Sequence, residues 1–580
     1  MAGTRHAMKL HAGMFLAALA SACSKSQPAS VLLVTLDTTR ADALGCYGAS
    51  PSVTPHLDAL AAEGITFEWA RTVTPTTLPA HTSMLTGLYP NRHTVRDNSL
   101  SAVPASATTV AELAQAAGVA CGAFVSAKVL DRAFGLDQGF AMYTQPAREN
   151  DIISSTGFAA RGAEETALDA TRWLASLEPE QPFLAWVHFF DPHRPWTASP
   201  QWLERASGNP YLAEVAATDA AVGSLIDELR RLGRLDHTTI VVVGDHGEGL
   251  GEHGEDSHAY FVYDSTLRVP LLVRRRDGAR AGERVSAMAS VVDVGPTICE
   301  ALGIRTLPDV DGQSLYACAP DAARGVYFES FYGLLHYGMA PLVGWVDARG
   351  KYIHSSTQEF YEPVRAPREP RNLVEERSDI AAAHREQIAR TLARATLEQG
   401  TSVQADAALL RNIESLGYAS APSFSGPLPD PLASSARPSP HHRADELRAC
   451  DQGQRLFERG RFAEAEKLLG RVAQENPDNT FALEFLAHAQ LRLGKFAQAR
   501  ASFERALERG PERAASLRGL GFALHQLREA DQARARLTRA AELDPSDLEA
   551  LRMLLHLAQE AGDSAAEERW RAALKSAAEL

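Results

Sequence analysis

Thr239-Ile240-Val241-Val242-Val243-Gly244-Asp245-His246-Gly247-Glu248 decides the fold. The β-branched run reads as a buried strand. Just past its carboxyl end stand a carboxylate and an imidazole, among glycines that permit tight turns. In open α/β sheets that rim is where ligands and metals sit. A capped loop beside a strand would look similar, so the reading depends on whether other stretches repeat the arrangement.

Two do. Val31-Leu32-Leu33-Val34-Thr35-Leu36 reads as a second buried strand with Asp37 at its end. In Thr74-Pro75-Thr76-Thr77-Leu78-Pro79-Ala80-His81 a hydroxyl run enters a helix-compatible segment that ends near Gly87. A hydroxyl at a helix amino end meets the positive end of the dipole, which suits an anionic substrate. Two Asp, one His and one hydroxyl form a hard ligand set for a divalent cation, which would acidify the hydroxyl into a nucleophile. Phe183–His188 reads as a further strand and a helical pattern begins near Leu212, followed by the strand at Ile240. That order predicts an α/β domain, a mostly parallel sheet flanked by helices.

Four segments resemble the sulfatase family of the alkaline-phosphatase superfamily, in family order and across residues 30–420: Leu36-Asp37-Thr38-Thr39-Arg40 through Gly48, Leu85-Thr86-Gly87-Leu88-Tyr89-Pro90, His188-Phe189-Phe190-Asp191-Pro192-His193-Arg194-Pro195-Trp196, and Gly244-Asp245-His246-Gly247-Glu248. The resemblance implies a metal shell of Asp37, Thr77, Asp245 and His246. It also departs from the family at a decisive place. Sulfatases carry a C/S-x-P-x-R motif whose first residue matures to formylglycine; here Thr77 holds that position and His81 stands where the Arg would be. Threonine cannot become formylglycine. Thr77-Leu78-Pro79-Ala80-His81 instead resembles the threonine nucleophile of the nucleotide pyrophosphatase/phosphodiesterase branch, where a downstream Asn, here matched by Asn98, holds a substrate oxygen.

A formylglycine hydrate expels sulfate by collapsing to the aldehyde. A threonine adduct has no such exit, so water must attack the intermediate, a step that metal and oxyanion stabilisation support for phosphoryl groups. The expectation is hydrolysis of phosphate or sulfate esters, leaning to phosphodiesters. The alternatives are a sulfatase proper, a head-group phosphotransferase and an inactive scaffold. Thr38 fills the place of a second acidic ligand in many family members, which makes manganese or zinc more natural than calcium. The resemblance also gives His193 a part in substrate binding or leaving-group protonation, and sets His258 and Lys128 against the ester. A two-metal site would draw on Asp191 and His258.

Residues 421–443, rich in Pro and Ser, read as an exposed linker. Beyond it Pro477, Pro511 and Pro545 recur every 34 residues, with Ala465, Ala499 and Ala533 in step. Small residues at crossings and Pro at the exit mark an all-α tetratricopeptide solenoid over 444–580, about three repeats with a final helix from Ala565 to Ala578. Such an array takes a protein or peptide partner.

At the amino terminus Arg5 and Lys9 precede an apolar run from Gly13 to Leu19 and the segment Ala20-Ser21-Ala22-Cys23. Residues 1–23 resemble a bacterial lipoprotein signal, implying lipidation of Cys23 and a membrane-anchored place in the cell envelope. The other five cysteines are scattered without zinc or disulfide spacing. A net charge of −14 argues against nucleic acid as a partner.

Overall fold

The structure, a computed structural model, describes residues 29–98, 101–146, 161–316, 321–398 and 427–579. Cys23 and the leader lie outside the described residues, as do 421–426 of the linker. No helix among those described is long and apolar enough to cross a membrane.

The main sheet has eight strands: β1 (Ser30–Leu36), β2 (Ile65–Arg71), β3 (Ala120–Phe124), β4 (Met142–Thr144), β5 (Phe183–Phe189), β6 (Thr238–Gly244), β7 (Leu271–Arg274) and β8 (Glu283–Ser290), in the order β4-β3-β5-β1-β6-β7-β2-β8. All neighbours run parallel except β7, which is antiparallel to β6 and β2. The central strands β1, β5 and β6 are buried along their whole length, as continuous Val/Ile/Leu runs demand when helices cover both faces. Three helices place the site or cover the sheet: α1 (Thr77–Thr86), α2 (Ala163–Ser176) and α3 (Pro210–Arg231). Pro210 opens α3, with Asn209 Oδ1 accepting from Leu212 N–H at 3.1 Å.

A second sheet, absent from the sequence reading, follows: β9 (Val326–Ser330), β10 (Leu342–Asp347), β11 (Gly350–His354) and β12 (Gln358–Tyr361), all antiparallel. A short helix α4 (Tyr332–Tyr337) connects β9 to β10, and α5 (Ser378–Leu392) packs on this sheet.

Eight helices then stack in four pairs: α6 (Ala444–Glu458), α7 (Phe462–Glu475), α8 (Thr480–Arg492), α9 (Phe496–Arg509), α10 (Ala514–Gln526), α11 (Ala530–Leu543), α12 (Leu548–Ala561) and α13 (Ser564–Glu579). The 34-residue alanines sit at the crossings, Ala465, Ala499 and Ala533 all fully buried. The expected lone terminal helix is thus the second member of a fourth pair.

The linker is exposed over 427–430, as its composition predicted, and docks as a strap toward its end, where Ser439 and Pro440 are buried. Ala340 N–H donates to Pro438 O at 2.9 Å, and His441 stacks on Tyr263 at 4.2 Å while bonding Glu359 at 2.9 Å. Pro and Ser content reports backbone preference, and here partners on the second sheet decide the burial. Behind the strap, one apolar cluster runs from β1 and β9 into the first repeats through Leu469, Phe481 and Leu486, while the outer repeats hold a separate core around Phe503, Leu520 and Leu554.

Candidate active site

Strand register builds the centre. Leu36 of β1 pairs with Phe189 of β5 on one side and Gly244 of β6 on the other, so the next residues, Asp37 and Asp245, leave the sheet side by side. His188 lies opposite Thr35 and reaches the same rim. Thr38 turns back in the left-handed region (φ 48°), donating its N–H to Asp245 Oδ1 at 3.1 Å. Glycine at 247 is required by close approach: a Cβ there would sit 2.1 Å from Ser265 O.

The buried helix α1 brings the hydroxyl. Thr77 Oγ1 lies 3.3 Å from His246 Nε2, which is itself 3.5 Å from Asp245 Oδ2 and 4.0 Å from Asp37 Oδ1. One donor atom each from Asp37, Asp245 and His246 falls within 4.8 Å of the others. Four predicted ligands therefore converge from three segments more than 30 residues apart in sequence.

The chemistry of these donors fits a cation. Both Asp37 oxygens and Asp245 Oδ2 are buried and accept no hydrogen bond. Burial pushes the Asp37 carboxyl up to about 8, with the Glu248 charge adding to the rise. Burial, then the charge of Asp37, drives Asp245 well above the carboxylate range. Two such acids are ionised together only with positive charge between them. His246 Nδ1 meets Gly247 O at 3.0 Å, so the proton sits there and the Nε2 lone pair faces the carboxylates. Burial holds this imidazole neutral, the form a metal needs.

A second group, His81, His188 and Asp245, also clusters within 4.8 Å, in place of the Asp191 and His258 pair expected for a second ion. Its protons do not suit metal ligation. Trp186 Nε1–H donates to Thr35 Oγ1 at 3.0 Å, so the Thr35 hydroxyl donates onward to His81 Nε2 at 3.0 Å. His81 Nδ1 then carries hydrogen and donates to Thr77 O at 2.8 Å. His188 Nδ1 accepts from Ser126 N–H at 3.4 Å, which leaves Nε2–H facing Asp37 Oδ2 at 3.3 Å. Both imidazoles flank a one-ion centre: His81 holds the Thr77 backbone, and His188 lies beside the Asp37 carboxylate without a hydrogen bond to it. Asp191 is engaged elsewhere, its Oδ1 capping α2 through Ala163 N–H at 3.0 Å.

Asn98 reaches the helix start as expected. Its Oδ1 accepts from Leu78 N–H at 2.8 Å, while its buried Nδ2 has no partner. An amide pinned by its carbonyl end presents its NH₂ to whatever sits over Thr77. Asn98→Asp keeps the bond to Leu78 and removes the donor; kcat is expected to fall about 10²–10³-fold, as for other oxyanion donors. Steady-state kinetics on the well-folded variant check this, and a fall below threefold would remove Asn98 from the reaction.

His193 stacks on Phe190 at 4.4 Å with Nδ1 on Arg194 O at 2.5 Å, and its ring lies 5.0 Å from that of His258. His258 in turn lies 4.5 Å from the His246 ring, with Nδ1 3.3 Å from Glu248 Oε1. Glu255 carries the loop, accepting from Tyr260 and Phe261 N–H at 3.0 Å each. Lys128 is buried, its ammonium 2.9 Å from Asp131 and 3.3 Å from Pro146 O.

Sequence reasoning missed His188 and Glu248 as site residues. An imidazole closing the otherwise apolar strand Phe183–Phe189 was the available signal.

Residues 29–304 match the family model described as Sulfatase, and residues 456–520 and 491–558 match that described as Tetratricopeptide repeat. The chain is 24% identical over 419 residues to the uncharacterized sulfatase YidJ of Escherichia coli, covering 60% of this chain and 83% of that protein. To the ulvan-active sulfatase of Formosa agariphila it is 28% identical over 329 residues, covering 49% and 64%. Among solved structures, the phosphonate monoester hydrolase of Agrobacterium radiobacter shares the fold at a TM-score of 0.53 and 20% identity, over 63% of this chain and 95% of that one. Family match, sheet order and the converging carboxylates agree: the chain carries a sulfatase-family ester-hydrolase domain joined to C-terminal tetratricopeptide repeats.

Proposed function

We propose that the protein hydrolyses phosphodiesters through Thr77 as nucleophile at a single divalent metal ion held by Asp37, Asp245 and His246. One observation carries the reading: a threonine hydroxyl, not a formylglycine precursor, stands 3.3 Å from the imidazole that completes the carboxylate pair. A divalent cation bound there would lower the pKa of the hydroxyl and offset charge on the ester oxygens.

The remaining steps belong to the chain. Thr77 Oγ attacks phosphorus and expels the leaving alcohol, while Asn98 Nδ2 holds a non-bridging oxygen. His193 and His258, their rings 5.0 Å apart, are assigned the passage of a proton to the departing oxygen. Water then attacks the phosphothreonine diester, releasing product and restoring the hydroxyl.

Charge supports a singly charged ester. Two carboxylates and a divalent ion cancel, and the nearby basic side chains are engaged elsewhere: Lys128 on Asp131, Arg40 on Asp42 and Glu252, and Arg194 over the Trp196 ring at 4.5 Å. A doubly charged phosphate monoester would find no fixed cation among these. Sulfate monoesters are also singly charged, and relatives named sulfatases keep that reading as the competitor. The leaving chemistry separates the two, since a sulfothreonine lacks the second hydroxyl that would expel sulfate. Parallel kinetics on an aryl phosphodiester, an aryl phosphate and an aryl sulfate test it. The diester is expected to give kcat/KM at least about a hundredfold above the others; a faster sulfate overturns the proposal.

A further inference from the structure

Successive repeats of the array are stitched by cation–anion pairs: Lys495 to Glu466, Arg500 to Glu529, Arg518 to Asp547 and Arg539 to Glu512, each at 2.7 Å. The step between α10 and α12, bridged at its start by Arg518 to Asp547 and Glu549, carries a second cluster further along. There two imidazoles face one carboxylate. His556 Nε2 is 3.3 Å from Glu560 Oε1, one helical turn away on α12, and His525 Nδ1 of α10 is 3.9 Å from Glu560 Oε2. The two imidazole rings meet edge to face at 5.7 Å. One donor atom from each residue lies within 4.8 Å of the other two.

We propose that His525, His556 and Glu560 form a zinc-class metal site that joins the third and fourth helix pairs, distinct from the centre at Thr77. Two imidazoles and a carboxylate are a recurrent zinc ligand set, with water completing a tetrahedron. Tetrahedral zinc holds such donors about 3.3–3.5 Å apart, so separations of up to 4.8 Å need closing by about 1.5 Å at most. The side chains can supply that by rotation, because His556 and Glu560 are roughly half exposed. The spacing also has a helical logic. Residues i and i+4 share one face of α12, and His525 reaches that face from the neighbouring helix one repeat earlier. The metal would add a second tie to the one Arg518 makes at this step, and Glu560 would hold the two imidazoles through it rather than alone.

The test uses the full-length chain carrying Asp245→Asn, which weakens the catalytic centre, titrated with Zn²⁺ by calorimetry and with Co²⁺ by absorption. Bound zinc is then compared with that of the same chain carrying His556→Ala in addition, and separately Glu560→Gln. The expected result is one zinc per chain fewer, or an affinity weaker by at least about tenfold, in each added variant, with a tetrahedral cobalt spectrum lost in parallel. These side chains lie at the surface, so their replacement leaves the fold intact, and circular dichroism confirms that. Equal stoichiometry and affinity with and without His556 overturn the proposal. Because the difference is read in a chain without Asp245, its outcome is independent of the phosphodiester reading.

Discussion

Thr77→Ala is expected to lower kcat by about 10⁴-fold or more while KM changes little, because the variant loses the atom that forms the covalent intermediate and keeps the groups that bind the ester. At about 1.4 kcal/mol per tenfold, that is more than 5 kcal/mol of transition-state stabilisation. The variant should remain folded and continue to bind a divalent ion, since Asp37, Asp245 and His246 remain and the helix is held independently. His81 Nδ1 donates to the Thr77 carbonyl and Asn98 Oδ1 accepts from Leu78 N–H, neither of which involves the hydroxyl. Thr77→Ser keeps an oxygen at the same place and is expected to retain measurable turnover. In the wild-type protein, rapid quenching and mass spectrometry should find the substrate's acyl-like half, the phosphoryl ester without its leaving alcohol, on the peptide that contains Thr77. A Thr77→Ala enzyme within tenfold of wild type would falsify the nucleophile.

Much of this centre was legible in the sequence because strand ends are local. A β-branched run that stops at Asp245, and another that stops at Asp37, already place two carboxylates at the carboxyl rim of one sheet. The approach of Thr77 was legible only through resemblance, since nothing in Thr74–Gly87 says which strand the helix start faces. What escaped the reading depends on register and on proton direction. His188 matters because it pairs with Thr35 and faces Asp37, and no periodicity within Phe183–Phe189 reveals that. His81 and His188 look like ligands by residue type, and the hydrogen bonds from Thr35 and Ser126 decide otherwise. The pairing of Lys128 with Asp131, three residues on, escaped for a related reason: residue type alone does not choose a lysine's partner. The second sheet went unrecognised because its short antiparallel strands, four to six residues each, carry little pattern of their own.

Deleting α6 to α13 while keeping the strap through Arg443 is expected to destabilise the catalytic domain, with loss of soluble protein or a fall in Tm of about 10 °C or more. The repeats looked like a separable module in sequence, since their 34-residue period starts after a Pro/Ser-rich stretch. The structure joins them to the enzyme. Tyr337 of α4 meets Phe481 of α8 at 5.2 Å, Asn476 Nδ2 donates to Tyr337 O at 3.1 Å, and Tyr260 bonds both Tyr337 at 3.1 Å and Asp451 at 3.4 Å. Truncation would leave these aromatic side chains facing water. Losing the burial of two or three of them costs several kcal/mol at about 1.5–3 kcal/mol each, and roughly 2–4 °C of Tm accompanies each kcal/mol in chains of 150–250 residues. Activity should fall with stability, because Tyr260 is two residues from His258 and Glu255 bonds its backbone. Removing only α10 to α13 tests the same logic from the other side. That part shares a core with Ala487, Ala499 and Phe503 of α8 and α9, separate from the cluster that reaches the enzyme, so its loss should leave turnover within about twofold of the full chain. Differential scanning calorimetry and kinetics on both truncations distinguish the cases. If the deletion of α6 to α13 gave a soluble enzyme with unchanged melting and turnover, the first repeats would be a tethered arm, and their contacts with Tyr260 and Tyr337 would carry no weight in holding the loop of His258.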